Sequence, residues 1–201
     1  MSTLGTSILV CALLAVPASM SAAPPKLGPP GGTRVRPGDG RSAALLIEGL
    51  ERSATIRSLV NRLESSDVIV YIQRQPLLRN GLAGGVTWIS TAGGYRYVRV
   101  SWSPELSTSL AISTLGHELQ HALEIANEPS IVGAETMEEF YRKTGITAAD
   151  HSGYDTLAAR DCGQAVRREI AGVRSTRTTD SLPNLEHETW LAMYRQARGL
   201  S

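Results

Sequence analysis

His117, Glu118 and His121 stand in the run HELQH. At 3.6 residues per turn, histidines four apart lie one above the other on a helix, so both imidazoles can reach one metal ion. Zinc takes neutral imidazole nitrogen at about 2.0–2.1 Å, and a catalytic zinc site has three protein ligands with the fourth position left to water. Glu118, one residue round from His117, is placed to take a proton from that water as general base. The chain has only four histidines, and chance gives this pattern in about one such chain in a few hundred to a thousand. A metal site is therefore favoured over a pair of structural histidines.

The third ligand must come from elsewhere, because no glycine after His121 turns the chain straight back. Glu124 and Glu128 are near, but Glu124 rises along the same helix and suits support of His121 better than ligation. Glu135, Glu138 and Glu139 fall on a predicted helix whose apolar side is Met137, Phe140 and Tyr141, which turns Glu135 and Glu138 toward solvent. Asp155 opens a predicted helix with a core stripe at Ala159, Cys162, Val166 and Ile170, and lies one turn ahead of Ala159 on that stripe. A carboxylate pointing inward needs a partner. Ligation by Asp155 stands against helix capping by the same residue, and Glu135 is the alternative ligand. His151, Tyr154 and Tyr141 are candidate donors to an oxyanion, with a surface-loop role the plainer alternative for His151. His187 reads as solvated, and Cys162 as a small core residue. Neither a nucleophile elbow, a phosphate-binding loop nor a dinucleotide fingerprint occurs.

Several elements must position these groups. Ala43–Leu63 has helical spacing, as one helix or two broken near Gly49. Val68–Ile72 is apolar on both alternating sets, as an interior strand requires. Val86–Ser90 and Tyr95–Trp102 read as a hairpin around Thr91-Ala-Gly-Gly94 with one face wet. Ser103-Pro104-Glu105 predicts a helix start, with the helix running to about Ala126. Further helices are predicted over 134–144, closed by Gly145, over 155–173 and over 185–198. The order implies an α+β fold: a small sheet packed on the helix that carries HELQH, followed by further helices.

Composition narrows the partners. Twenty Lys+Arg against 19 Asp+Glu give a formal charge of +1, too weak a field to favour nucleic acid or an anionic membrane surface. Ile8–Val16 is an apolar run followed by small residues, the shape of a signal peptide over 1–23 and too short for a permanent anchor. Residues 24–42, rich in Pro and Gly, read as a tether without helix or ladder, and 43–201 as one metal-binding domain. The expectation is an exported protein, periplasmic or secreted, with no stable membrane anchor after leader cleavage. Cleavage near Ala22 or Ala23 would leave Cys162 as the one cysteine and no internal disulfide.

The segments LGHELQHALEIA, AETMEEFYRKTG and GYDTLAARDCGQAVRREI resemble a group of small exported bacterial proteins of unassigned role. More distantly they resemble zincin metallopeptidases of the gluzincin kind. In that group the stretch matching Tyr154–Ala159 usually reads aromatic-Glu-Thr-x-Ala-Ala, and gluzincins take their third ligand from such a glutamate. The resemblance therefore implies a ligand at Asp155, one methylene shorter, so that its segment must come closer. It also implies a zincin-like layout, with a sheet edge beside the active helix where a peptide can lie as an added strand. The function implied is that of a zinc-dependent hydrolase acting on a peptide or protein substrate. The alternative is a non-catalytic metal-binding or envelope protein on the same fold.

Overall fold

The computed structural model describes residues 33–76, 78, 82–147 and 154–176. The leader, most of the tether, the helix expected over 185–198, His151 and His187 lie outside them. Within them the architecture is α+β, with a four-stranded sheet, a two-stranded ribbon and five helices. None of these helices is long and apolar enough to cross a membrane.

The chain is already folded where the tether was expected to end. Val35–Pro37 is strand β1, and α1 (Gly40–Arg52) follows it directly. Proline is tolerated because β1 is an outer strand of the sheet, where a missing N–H need not break a ladder. Asp39 caps α1 by accepting from the backbone N–H groups of Arg41 at 3.0 Å and Ser42 at 2.9 Å. The break before α2 (Ala54–Glu64) falls at Ser53 rather than Gly49. Ser53 accepts the Ile56 N–H at 3.1 Å, and the Glu169 carboxylate accepts from Thr55 N at 3.2 Å and Thr55 Oγ1 at 2.8 Å. A negative group is thereby set at the start of α2. Gly49 stays helical, and its lack of a side chain serves packing: a Cβ there would lie 2.9 Å from Ile56 Cδ1.

β2 (Val68–Arg74) lies inside the sheet, parallel to β1 and to β4 (Tyr95–Trp102). β3 (Gly84–Ala92) returns antiparallel to β4 through a turn with Gly93 and Gly94 at φ 58° and 77°, in the left-handed region that glycine enters freely. The order β1-β2-β4-β3 leaves β3 on an outer edge. The hairpin is drier than its alternation predicts: β4 is interior, with Arg96 and Ser101 buried, while β3 carries the exposed positions.

The helix expected at Ser103 begins four residues later, as α3 (Thr108–Asn127). Ser103 still donates its N–H to Ala83 O at 2.9 Å, which extends the hairpin, and Leu106 N returns to Ser103 O at 3.4 Å. Pro104 thus occupies the second position of a turn, which demands the same φ as a first helical residue. Then come α4 (Ala134–Thr144), capped by Gly145 as expected, the ribbon of β5 (Ile146–Thr147) with β6 (Tyr154–Asp155), and α5 (Leu157–Thr176). The core lies between the sheet and the helices, with Leu46, Leu50, Val70, Val98, Ile112 and Leu115 fully buried.

Arg96 fixes the far end of α3. Its Nε and Nη2 donate to Asp67 at 2.8 and 2.7 Å, and its Nη1 to the carbonyls of Ile125 at 2.7 Å and Glu128 at 2.8 Å. Helix C-termini leave such carbonyls without intrahelical partners and favour a cation beside them. Arg96→Met is expected to cost about 3–5 kcal/mol, because a buried network loses its donor. Asp67→Asn, on a half-exposed side chain, should cost less than about 1 kcal/mol. Urea unfolding compares the two; equal losses would contradict this assignment.

Candidate metal centre

α3 sets the two imidazoles on one face. Their ring centroids are 4.9 Å apart and their planes cross at 75°, while Leu115, Leu119, Ala122 and Leu123 bury the adjoining faces. α5 crosses α3 closely, each helix offering a glycine to a side chain of the other. A Cβ on Gly116 would lie 2.6 Å from Val166 Cγ2, and one on Gly163 would lie 3.3 Å from His117 Cβ. Only glycine permits so close a crossing, and it carries the segment preceding α5 up to the histidines.

Asp155 arrives there. Its Oδ1 is 3.3 Å from His117 Nε2 and 3.6 Å from His121 Nε2. One ligand atom from each residue lies within 4.8 Å of the other two, and the three residues form a group that can hold a metal ion. Asp155 belongs to β6 rather than to the first turn of α5. The capping role is taken by Thr156, whose Oγ1 accepts from Ala159 N at 3.1 Å, so the carboxylate is free to face inward. Arg160 Nε donates to Asp155 Oδ2 at 2.7 Å, and Oδ1, which also accepts from Thr156 N at 2.7 Å, is the oxygen turned to the imidazoles. Glu135 is exposed and outside the group, and Glu138 is exposed at the rim of the cleft.

Glu124 supports His121 as its helical position implied. Its Oε2 is 2.9 Å from His121 Nδ1, and its Oε1 accepts from Thr156 Oγ1 at 2.7 Å. A carboxylate on one ring nitrogen orients the other toward a metal. Tyr141 donates to His121 O at 3.0 Å, so its hydroxyl is committed to the helix backbone. Tyr154 is half-buried and lines the cleft. Cys162 is free, and burial pushes its thiol up to about 11, in keeping with a core residue.

Glu118 is buried beside the histidines, and the edge strand lies directly on it. A Cβ at Gly84 would meet Thr114 Cγ2 at 2.6 Å and Glu118 Oε1 at 2.8 Å. The sequence reading missed Gly84; the signal was the Gly84-Gly85 pair at the head of a strand, where glycine marks close approach of another group. A cleft of about 830 Å³ runs between β3, α3, α4 and the β6–α5 segment, and His117, Glu118, His121 and Asp155 all open into it.

No family model, curated protein or solved structure matches the chain.

The charges decide where a proton sits. Burial lowers His117, and the charge of His121 lowers it further. Burial alone would lower His121 as well, but Asp155 and Glu124 outweigh it and raise the group to about 9. His117 is nearer Asp155, yet His121 holds the proton because it has a second carboxylate on Nδ1. Burial would raise Asp155, but His121 and Arg160 hold it well below the usual carboxylate range. Burial raises Glu118 to about 7.

A metal must displace the His121 proton. Zinc titrated at pH 7 should release about one proton, read as an enthalpy that differs between buffers of different ionisation heat. Two groups with raised folded pKa values, Glu118 from 4.5 to about 7 and His121 from 6.5 to about 9, add stability below their unfolded values and lose it as pH rises through the folded ones. His117, which is lowered, acts in the opposite sense below its unfolded 6.5, so the melting temperature of metal-free protein should fall most clearly between pH 6.5 and 9, and the increment from added zinc should widen. A flat profile without proton release would contradict this distribution of charge.

Proposed function

We propose that the protein is an exported zinc-dependent hydrolase, a metallopeptidase on a zincin-like fold. The observation that carries this reading is the convergence of His117, His121 and Asp155 with buried Glu118 in one cleft, beside a sheet edge that β4 pairs on one side only. Two imidazole nitrogens and one carboxylate oxygen are the donor set that catalytic zinc sites use. The apolar run Ile8–Val16 supports export.

His117 Nε2, His121 Nε2 and Asp155 Oδ1 would hold the ion. Zinc there would supply a Lewis acid for a carbonyl and a water acidic enough to react at neutral pH. Glu118, whose carboxyl burial raises to about 7, would accept and return a proton beside those ligands near neutrality, as general base and then general acid. The free edge of β3 orients an extended chain across the group through backbone hydrogen bonds, and the walls of the cleft exclude bulk water from it. Glu124 keeps Nε2 of His121 turned inward, and Arg160 keeps Asp155 from swinging away.

Purified protein should bind about one zinc per chain, and His121→Ala and Asp155→Ala should lose it. A mixed peptide library, read by mass spectrometry, should be cleaved by wild type. Glu118→Gln should retain zinc and lose about 10²–10⁴-fold in rate. Zinc bound without cleavage by either form would favour the non-catalytic metal-binding alternative, and absence of zinc binding would end both readings.

A further inference from the structure

The cleft is lined by exposed charges of both signs. Besides the metal group and Glu118, the charged residues that line it are Glu138 on α4 and Arg160 and Arg167 on α5. Arg160 is engaged with Asp155. Glu138 and Arg167 are exposed, and among the described residues neither makes an ion pair.

The packing fixes which end each occupies. α5 runs antiparallel to α3: Thr156, just ahead of α5, donates to Glu124 near the C-terminal end of α3, and further along α5 Gly163 abuts His117 and the carbonyl of Ser113 while Val166 abuts Gly116. Arg167 therefore lies toward the Ser113 end of α3. Gly84 packs on Thr114 and Glu118 at that same end, while Thr91 at the other end of β3 donates to Val132 O, just ahead of α4. A chain that pairs antiparallel with β3 then has its C-terminal half at the Leu82–Gly85 end, beside Arg167, and its N-terminal half toward Glu138. Arg167 is seven residues beyond Arg160, about 10 Å along a helix, which an extended chain spans in about three residues.

We infer that Arg167 is a specificity-determining residue that binds a carboxylate of an extended peptide, about three residues to the C-terminal side of the bond held over the metal group. The inference rests on the reading of this cleft as a peptide site. A guanidinium suits the role because its planar fork takes a carboxylate with two hydrogen bonds. Two sources supply that chemistry, an Asp or Glu side chain and the α-carboxylate of a short substrate.

The test uses full-length protein and fluorescent peptides of one neutral parent sequence, with Glu, Gln or Lys at each position in turn and with a free or an amidated C-terminus. Anisotropy measures binding to zinc-loaded Glu118→Gln, and kcat/KM measures cleavage by wild type. The Glu peptide substituted at about the third position should bind and be cleaved about five- to tenfold better than its Gln counterpart. Arg167→Gln should bring that ratio to about one, and Arg167→Glu should invert it in favour of Lys at the same position. If amidation of the C-terminus, rather than Glu→Gln, lowers binding and does so only with Arg167 present, the α-carboxylate is the group read. Binding by wild type that neither Glu→Gln nor amidation changes, or the same change in Arg167→Gln, overturns the inference. Acid-dependent binding that requires Arg167, without cleavage, would sink the hydrolase reading alone. Circular dichroism and zinc stoichiometry of each variant separate these results from misfolding.

Discussion

The whole site depends on one close crossing. HELQH supplies two ligands from a single helix by periodicity alone, but a third must come from a residue 34 positions beyond His121, and no local rule can deliver it. The contact of α3 with α5 does so, because Gly116 makes room for the side chain of Val166 and Gly163 for the Cβ of His117. Interiors are packed as densely as organic crystals, so a single added methyl at such a crossing displaces a helix rather than filling a void. The shortness of aspartate relative to glutamate sharpens this requirement: the backbone before α5 must approach until Oδ1 is 3.3 Å from one ring nitrogen and 3.6 Å from the other.

That approach gathers several charges in a dry space, and the surroundings show how they coexist. Two carboxylates flank His121, one on each ring nitrogen, and Arg160 takes the outer oxygen of Asp155. Glu118 has no such partner and meets the cost of burial by holding a proton more tightly. Two carboxylates within one cleft are thus driven in opposite directions, one toward permanent ionisation and one toward proton exchange near neutrality. Pairs of titratable groups pushed apart in this way are a frequent mark of acid–base chemistry, although structural ion-pair networks produce them too.

The sequence carries the parts of this arrangement that follow from local rules. The spacing of HELQH, the interior strand at Val68–Ile72, the hairpin and the bounds of α4 are all set by periodicity or by a terminating glycine, and the structure has them there. The misplaced features are those where one local pattern serves two geometries. Ser-Pro-Glu starts helices and also makes turns, and at Ser103 the continuing ladder to Ala83 selects the turn. Val35–Pro37 has too few residues to announce a strand and is ordered by a neighbour more than 30 positions away. Asp155 was legible as an inward carboxylate, but its place in a short strand depends on β5, and its freedom depends on Thr156 taking the cap. Arg96 shows the limit most clearly: an arginine in an alternating hairpin reads as solvent-facing, and only the end of α3, some 30 residues on, makes it an interior clamp.

The edge strand brings these threads together. An outer strand with free backbone groups invites pairing with other chains, and proteins usually blunt such edges with bulges, charges or cover. β3 has a register shift between Trp88 and Ser90, which interrupts its outer half. Its inner half, from Gly84, is instead pressed against α3, and residues of α4 and α5 line the same cleft. On the proposed function, a cleft lined by helices in this way would admit one extended chain rather than a second sheet, and would hold that chain over the imidazoles. Gly84 is what joins the two functions: a side chain there would push the strand off Glu118 and reopen the channel, separating the surface that orients a chain from the groups that would act on it.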